Sequence, residues 1–272
     1  MESSTLSSAT SGLQWSAAFL RWVLVDLPPT FGPSDEPFLG FVYMDRSGLS
    51  VRGGRPSDPE VAERPSVTIR LPMEAPGRIL ADEDVAARGL PAQPGWLRHF
   101  GAQPPAEAPW RVDPELAGRF EPAFLDDLQV LVHDGERRRT GVASELCWVR
   151  ITDAGATLVR RTVDGAIRTS VVYGGTLLNQ PHRLTSVRQG DRVQFLADAG
   201  APHPMLVADA YLTERPAWAI DPCDRCGFAE AMDPPSVLWH TRFGGVHGVV
   251  ASAFTSFCPL CGGTQMLRRV DG

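Results

Sequence analysis

The chain has 272 residues, a formal charge of −6, 43% hydrophobic and 21% charged residues. This composition excludes a chain disordered throughout and supports a core without covalent staples. All 26 basic residues are arginine, which excludes a lysine Schiff base, a P-loop lysine and a Ser–Lys dyad. No run of about 18 uncharged apolar residues occurs, so no membrane span is expected.

Residues 1–12 are rich in Ser and Thr and read as a disordered tail, with no basic, secretion-type n-region. From 13 to 90 the signals are mixed strand and helix. Leu20, Trp22 and Leu24 alternate with Phe19, Val23 and Val25, as in a buried strand stopped by Pro28-Pro29; a helix from Ser11 is the competing reading. Phe38–Met44 and Leu49–Arg52 predict a hairpin around Asp45-Arg46-Ser47-Gly48, and Ser66–Leu71 another strand. Residues 79–90 predict a helix ending at Gly89. Residues 91–122 hold six prolines up to Pro114 and read as a connection between domains, with Trp96 and Phe100 on a short helical turn.

From Leu128 onward short strands and turn dipeptides dominate. Strands are expected at Leu128–His133, Leu146–Thr152, Thr157–Val163, Ser170–Leu178, Arg192–Leu196 and Met205–Tyr211. The turns are Asp134-Gly135, Asp153-Ala154-Gly155, Asp164-Gly165 and Gln189-Gly190-Asp191. Gly174-Gly175 inside a strand signals a bulge or a close backbone approach. This spacing predicts a small antiparallel barrel or strongly bent sheet, a barrel-like module over 123–214.

The chemistry concentrates at 215–272. Cys223-Asp224-Arg225-Cys226-Gly227 and Cys258-Pro259-Leu260-Cys261-Gly262 are two C-x-x-C-G segments, with 31 residues between Cys226 and Cys258. Each can close a knuckle, and the glycine lets the chain turn with positive φ. Four thiolates suit a tetrahedral Zn²⁺. A thioredoxin-like redox site needs only one such pair. His240 or His247 offers a Cys₃His variant that four cysteines make unnecessary. The pattern resembles the zinc ribbon, which implies two knuckles on a small antiparallel sheet, with Val237–Thr241 and Gly248–Phe257 as strands. A filled Cys₄ shell leaves no position for water, so a structural Zn²⁺ is expected rather than a catalytic one. The expected fold class is therefore α+β and β-rich, the barrel-like module being followed by a C-terminal Cys₄ zinc ribbon.

Glu145…Trp148-Val149, Leu177-x-Asn179-x-Pro181 and Gly190-Asp191-x-Val193-x-Phe195 resemble bacterial domain families of unknown function, some with relatives in toxin–immunity neighbourhoods. That resemblance implies no catalytic residues. Asn179 and His182 are candidates for a ligand cleft, and Arg137, Arg138 and Arg139 for an anion contact. His133 and Asp134, adjacent on a strand, should face opposite ways. Cys147 reads as a buried inert thiol, and Asp209 as an outward strand residue.

Charge is uneven: residues 1–140 hold 14 Arg against 20 acids, and 141–272 hold 12 of each. No basic excess marks a nucleic-acid module. Five Arg and five acids over 215–272, with four thiolates and one Zn²⁺, leave the ribbon at −2. The expected function is a non-enzymatic, zinc-binding cytoplasmic bacterial protein that binds another protein in an immunity or defence setting. The alternatives are nucleic-acid binding through the ribbon and Arg137–Arg139, and an enzyme or small-molecule binder using Asn179 and His182.

Overall fold

The structure is a computed structural model and describes residues 13–31, 36–71, 75–104, 106–162, 164–198, 201–244 and 251–270. The expected tail 1–12 and His247 lie outside these. The chain forms two compact units, one of residues 1–108 with 121–125 and one of 109–120 with 126–272. The division falls inside the proline-rich stretch.

The first unit is built on β1 (Trp22–Val25), β2 (Phe38–Asp45), β3 (Gly48–Gly54), β4 (Val67–Arg70) and β5 (Gly77–Ile79), with a short helix α1 (Asp82–Ala87). The strands pair antiparallel in the order β4-β3-β2-β1-β5. Alternation along β1 works as the sequence predicts. Val23 and Val25 join Val42, Val51 and Ile69 on one face, while Trp22 and Leu24 join Leu39, Phe41 and Tyr43 on the other. Both faces are covered, so the strands read as continuous apolar runs. The proline-rich stretch supplies part of the cover. Its 3₁₀ turn Gly95–Phe100 sets the Trp96 ring edge-on to Tyr43 at 5.1 Å.

The second unit contains β6 (Phe120–Glu121), β7 (Phe124–Val132), α2 (Arg137–Thr140), β8 (Glu145–Arg161), β9 (Ile167–Leu177), β10 (Arg192–Leu196) and β11 (Met205–Leu206). It continues through α3 (Asp209–Glu214), β12 (Trp218–Ile220), α4 (Pro235–Phe243), β13 (Ala253–Phe257) and β14 (Thr264–Arg269). Glu121 of β6 and Phe124 and Leu125 of β7 are counted with the first unit. The sheet runs β13-β14-β12-β8-β9-β10-β11-β7-β6, with β7 also paired to β8. Five strands thus pair in a circuit, but β11 is two residues long and meets β7 at a single parallel register pair, Met205 with Leu131. Of the two expected forms, barrel or strongly bent sheet, the strands make the second: a curled, mainly antiparallel sheet that is not a closed barrel. It opens on one side to accept β12 and the β13–β14 hairpin.

Three local expectations are corrected. Asp153-Ala154-Gly155 is not a turn: β8 runs on for 17 residues, and two register irregularities against β9 absorb the extra residues. Residues 237–241 are not a strand. Pro235 opens α4, Gly244 ends it in the left-handed region, and Leu238 is buried. Asp209 begins α3, where its carboxylate accepts from Gln194 Nε2 at 3.0 Å.

Gly174 and Gly175 mark a close approach. A Cβ at Gly175 would lie 2.6 Å from the Arg150 carbonyl oxygen. In the first unit a Cβ at Gly53 would lie 1.9 Å from the Leu39 carbonyl oxygen and 2.5 Å from Gly40 Cα. Gly53→Ala is therefore expected to lower stability by about 2–4 kcal/mol in urea denaturation. Gly95→Ala, with open space at that position, should change it by no more than about 0.5 kcal/mol. Equal effects would refute this packing of β2 on β3.

Candidate metal centre

The two C-x-x-C-G segments fold alike. In the first, the Cys223 N–H donates to the Phe228 carbonyl at 2.9 Å and the Gly227 N–H to the Cys223 carbonyl at 3.0 Å. In the second, the Cys258 N–H donates to Gly263 at 2.7 Å and the Gly262 N–H to Cys258 at 2.9 Å. Gly227 and Gly262 have φ of 77° and 71°, as the sequence requires. In each knuckle an amide two residues past a cysteine donates to its sulfur, Arg225 to Cys223 and Gly263 to Cys261, both at 3.4 Å.

The knuckles face each other. All four Sγ atoms lie within 4.8 Å of one another, with Cys223–Cys261 at 3.4 Å and Cys226–Cys258 at 3.5 Å. These separations exceed a disulfide bond of about 2.05 Å. They approach the edge of a sulfur tetrahedron around an ion at about 2.3 Å, which is about 3.8 Å. Cys223 and Cys258 are buried in the main core of the unit with Phe228, Phe254 and Leu267, while Cys226 and Cys261 are exposed. Desolvation raises the Cys223 thiol, but the Arg225 and Cys226 amides and neighbouring thiols outweigh it and bring it down to about 7. Asp224 clasps the second knuckle by accepting from Thr264 N at 2.7 Å and Oγ1 at 2.9 Å. A Cβ at Gly263 would lie 2.6 Å from Cys223 Sγ, so the centre has no room for a larger residue there. His240 is on α4 and outside the cysteine group.

Beside the first knuckle lies a charge network that sequence reasoning missed. Glu230, 1% exposed, accepts from Arg160 Nη1 at 2.6 Å, from Arg215 Nε at 2.7 Å and from the Tyr211 hydroxyl. Burial alone would raise its pKa, yet the two guanidinium groups hold it below the ordinary value. Arg160 also bonds Asp198 at 3.0 Å and Ser170. The signal was a lone acid within the apolar run Phe228-Ala229-Glu230-Ala231-Met232.

A second buried group forms around α2. Asp233, 4% exposed, receives two bonds from Arg139, at 2.6 and 2.9 Å, and one from the Glu136 N–H at 2.8 Å. Arg139 is thus committed to a carboxylate of its own chain. Arg138 and Arg242 lie over the Phe257 ring at 3.5 and 4.3 Å, and Arg137 is exposed on α2. His133 and Asp134 do face apart. His133 Nε2 meets the Leu206 carbonyl at 2.9 Å, and burial lowers its pKa. Asp134 bonds Thr185 and Ser186.

Asn179 and His182 bracket a backbone junction. Asn179 Oδ1 accepts from the Trp148 N–H at 2.7 Å, and the His182 N–H donates to Glu145 at 2.8 Å. Cys147 is buried, and burial raises its thiol. Among the described residues no helix is long and apolar enough to cross a membrane. No known protein family, curated protein or solved structure matches this chain.

Burial, and then the charge of Asp233, push the Glu136 carboxyl up to about 7, and its Oε1 has no hydrogen-bond partner among the described residues. The folded state therefore holds a proton that the unfolded state loses near pH 4.5. The stability this proton supports is complete below that pH and is lost as pH rises through about 7, by up to about 3 kcal/mol. Glu136→Gln should gain stability over the parent as pH rises from 4.5 to about 7 in urea denaturation, and the gain should level off above that. A difference that does not change with pH would refute this.

Proposed function

We propose that Cys223, Cys226, Cys258 and Cys261 hold one structural Zn²⁺, and that the chain is a non-enzymatic module that binds another protein. The observation that carries the metal reading is the convergence of four sulfurs from two matched knuckles within 4.8 Å. Four thiolates fill a tetrahedral shell, which argues for structure over catalysis. When bound, the ion would link the turn after β12 to the β13–β14 hairpin, and its binding would add to folding free energy.

Support for a protein partner comes from the surface beside the second knuckle. Arg138, Arg242 and Phe257 are stacked next to Cys258, and Phe243, 49% exposed, adjoins Arg242 with its centroid 5.6 Å from the guanidinium. Aromatic and arginine side chains are enriched at protein interfaces. The same two guanidinium groups favour a second reading, a phosphate-bearing nucleic acid. Against it stands the charge of −2 that the thiolates and Zn²⁺ give residues 215–272.

Protein purified without chelator is expected to contain one zinc per chain. Cys226→Ser should lose that zinc and make the β13–β14 hairpin protease-sensitive. Absence of zinc from the parent, or full zinc retention by the variant, would refute the site. Affinity capture across a salt series separates the two partner readings. A stoichiometric protein retained at high salt supports the first, and nucleic acid released as salt rises supports the second.

A further inference from the structure

The β8–β9 hairpin runs beside a cavity of about 650 Å³, lined by the ends of both strands near their turn and by the segment around the first knuckle. The volume falls in the range of small-molecule sites. Arg160, Arg215, Glu230 and Asp198 form one side of it. Their charges cancel, two guanidinium groups against two carboxylates joined by ion pairs of 2.6 to 3.0 Å.

Three more charged residues line the cavity: Arg161, Arg168 and Glu115. Among the described residues, neither Arg161 nor Arg168 lies within 4 Å of a carboxylate, although Arg168 is close enough to Asp164 to help lower its pKa, and no donor bonds the Glu115 carboxylate. Arg168 lies directly across from Arg160 in the β8–β9 register. Opposed residues of an antiparallel pair share a face of the sheet, so Arg168 stands on the same face as the buried network. The lining thus has four arginines against three acids in a chain whose overall charge is −6. Burial raises the Glu115 carboxyl, with Arg160 opposing and Asp113 and Asp198 adding to the rise. Ile167, Ile220 and Pro222 supply apolar wall. A concave site with excess positive charge and low-dielectric walls concentrates anions.

We propose that this cavity binds a small organic anion, with its carboxylate or phosphate group held by Arg168, on the face of the Arg160 network, and its apolar part against Ile220 and Pro222. Neither Asn179 nor His182 lines it. The inference rests on the cavity and its charges and does not depend on which ion the cysteines hold.

The test titrates the full chain, as purified, with succinate, with inorganic phosphate and with putrescine as a cationic control, by calorimetry and by amide NMR. Saturable binding of succinate or phosphate is expected, with shifts centred on Arg160, Arg168 and Gly227, and no binding of putrescine. Arg168→Gln should weaken binding about tenfold without moving the melting temperature, whereas Arg161→Gln, on the other face of the hairpin, should leave it within about twofold. Glu115→Gln, which removes an acid and no ion pair, should tighten it by about threefold. This keeps the test decisive if an arginine variant fails to fold. Succinate against phosphate identifies the preferred group. The proposal is overturned if neither anion saturates, if putrescine binds as tightly, if the shifts centre elsewhere, or if Arg168→Gln binds as the parent does.

Discussion

A carboxylate with 1% of its surface exposed cannot remain ionised unless nearby charges replace the water it has lost. Glu230 is such a group, and the architecture of the second unit follows from how it is compensated. Arg160 comes from the end of β8, Arg215 from the turn before β12, and Tyr211 from α3. Each must stand in place at once, because withdrawing any one leaves buried charge or a buried hydroxyl without its partner. The network therefore fixes the position of the segment after the first knuckle against the sheet.

That placement connects two fastenings of different kinds. The knuckles fold locally, through short backbone hydrogen bonds and two left-handed glycines. Local closure alone does not bring them together. They meet because β12 pairs with both β8 and β14, and because Trp218 packs edge-on against Phe254 at 5.5 Å. Cys223 and Cys258 lie in the same apolar cluster as Leu158 and Val172 of the β8–β9 hairpin. The cysteine centre is thus an extension of one core, where an isolated ribbon would need its metal to supply most of its stability.

The first unit relies on different physics. Its sheet buries apolar side chains on both faces, and its one aromatic-rich face is closed by a 3₁₀ turn from the proline-rich stretch. Proline does not prevent this role. It limits hydrogen bonding and fixes φ, yet leaves Trp96 free to pack against Tyr43 and Phe41.

The sequence by itself determined what depends on neighbours along the chain. The alternation of β1, the hairpin at Asp45–Gly48, the glycine turns of the knuckles and the divergence of His133 from Asp134 were all legible, because each follows from φ/ψ limits or from the period of two in a strand. The tertiary structure decided whatever required partners distant in sequence. Asp153–Gly155 has turn composition, but the pairing of β8 with β9 along its length turns it into a bulge. Residues 237–241 suit a strand by content, but Pro235 and Gly244 frame a helix that buries Leu238. Glu230 finds Arg160 across 70 residues of chain. The cavity with its excess of arginine exists only because those pairings hold the hairpin beside the knuckle. Local geometry is encoded within a few residues, whereas compensation of buried charge depends on which distant groups the fold brings within hydrogen-bond reach.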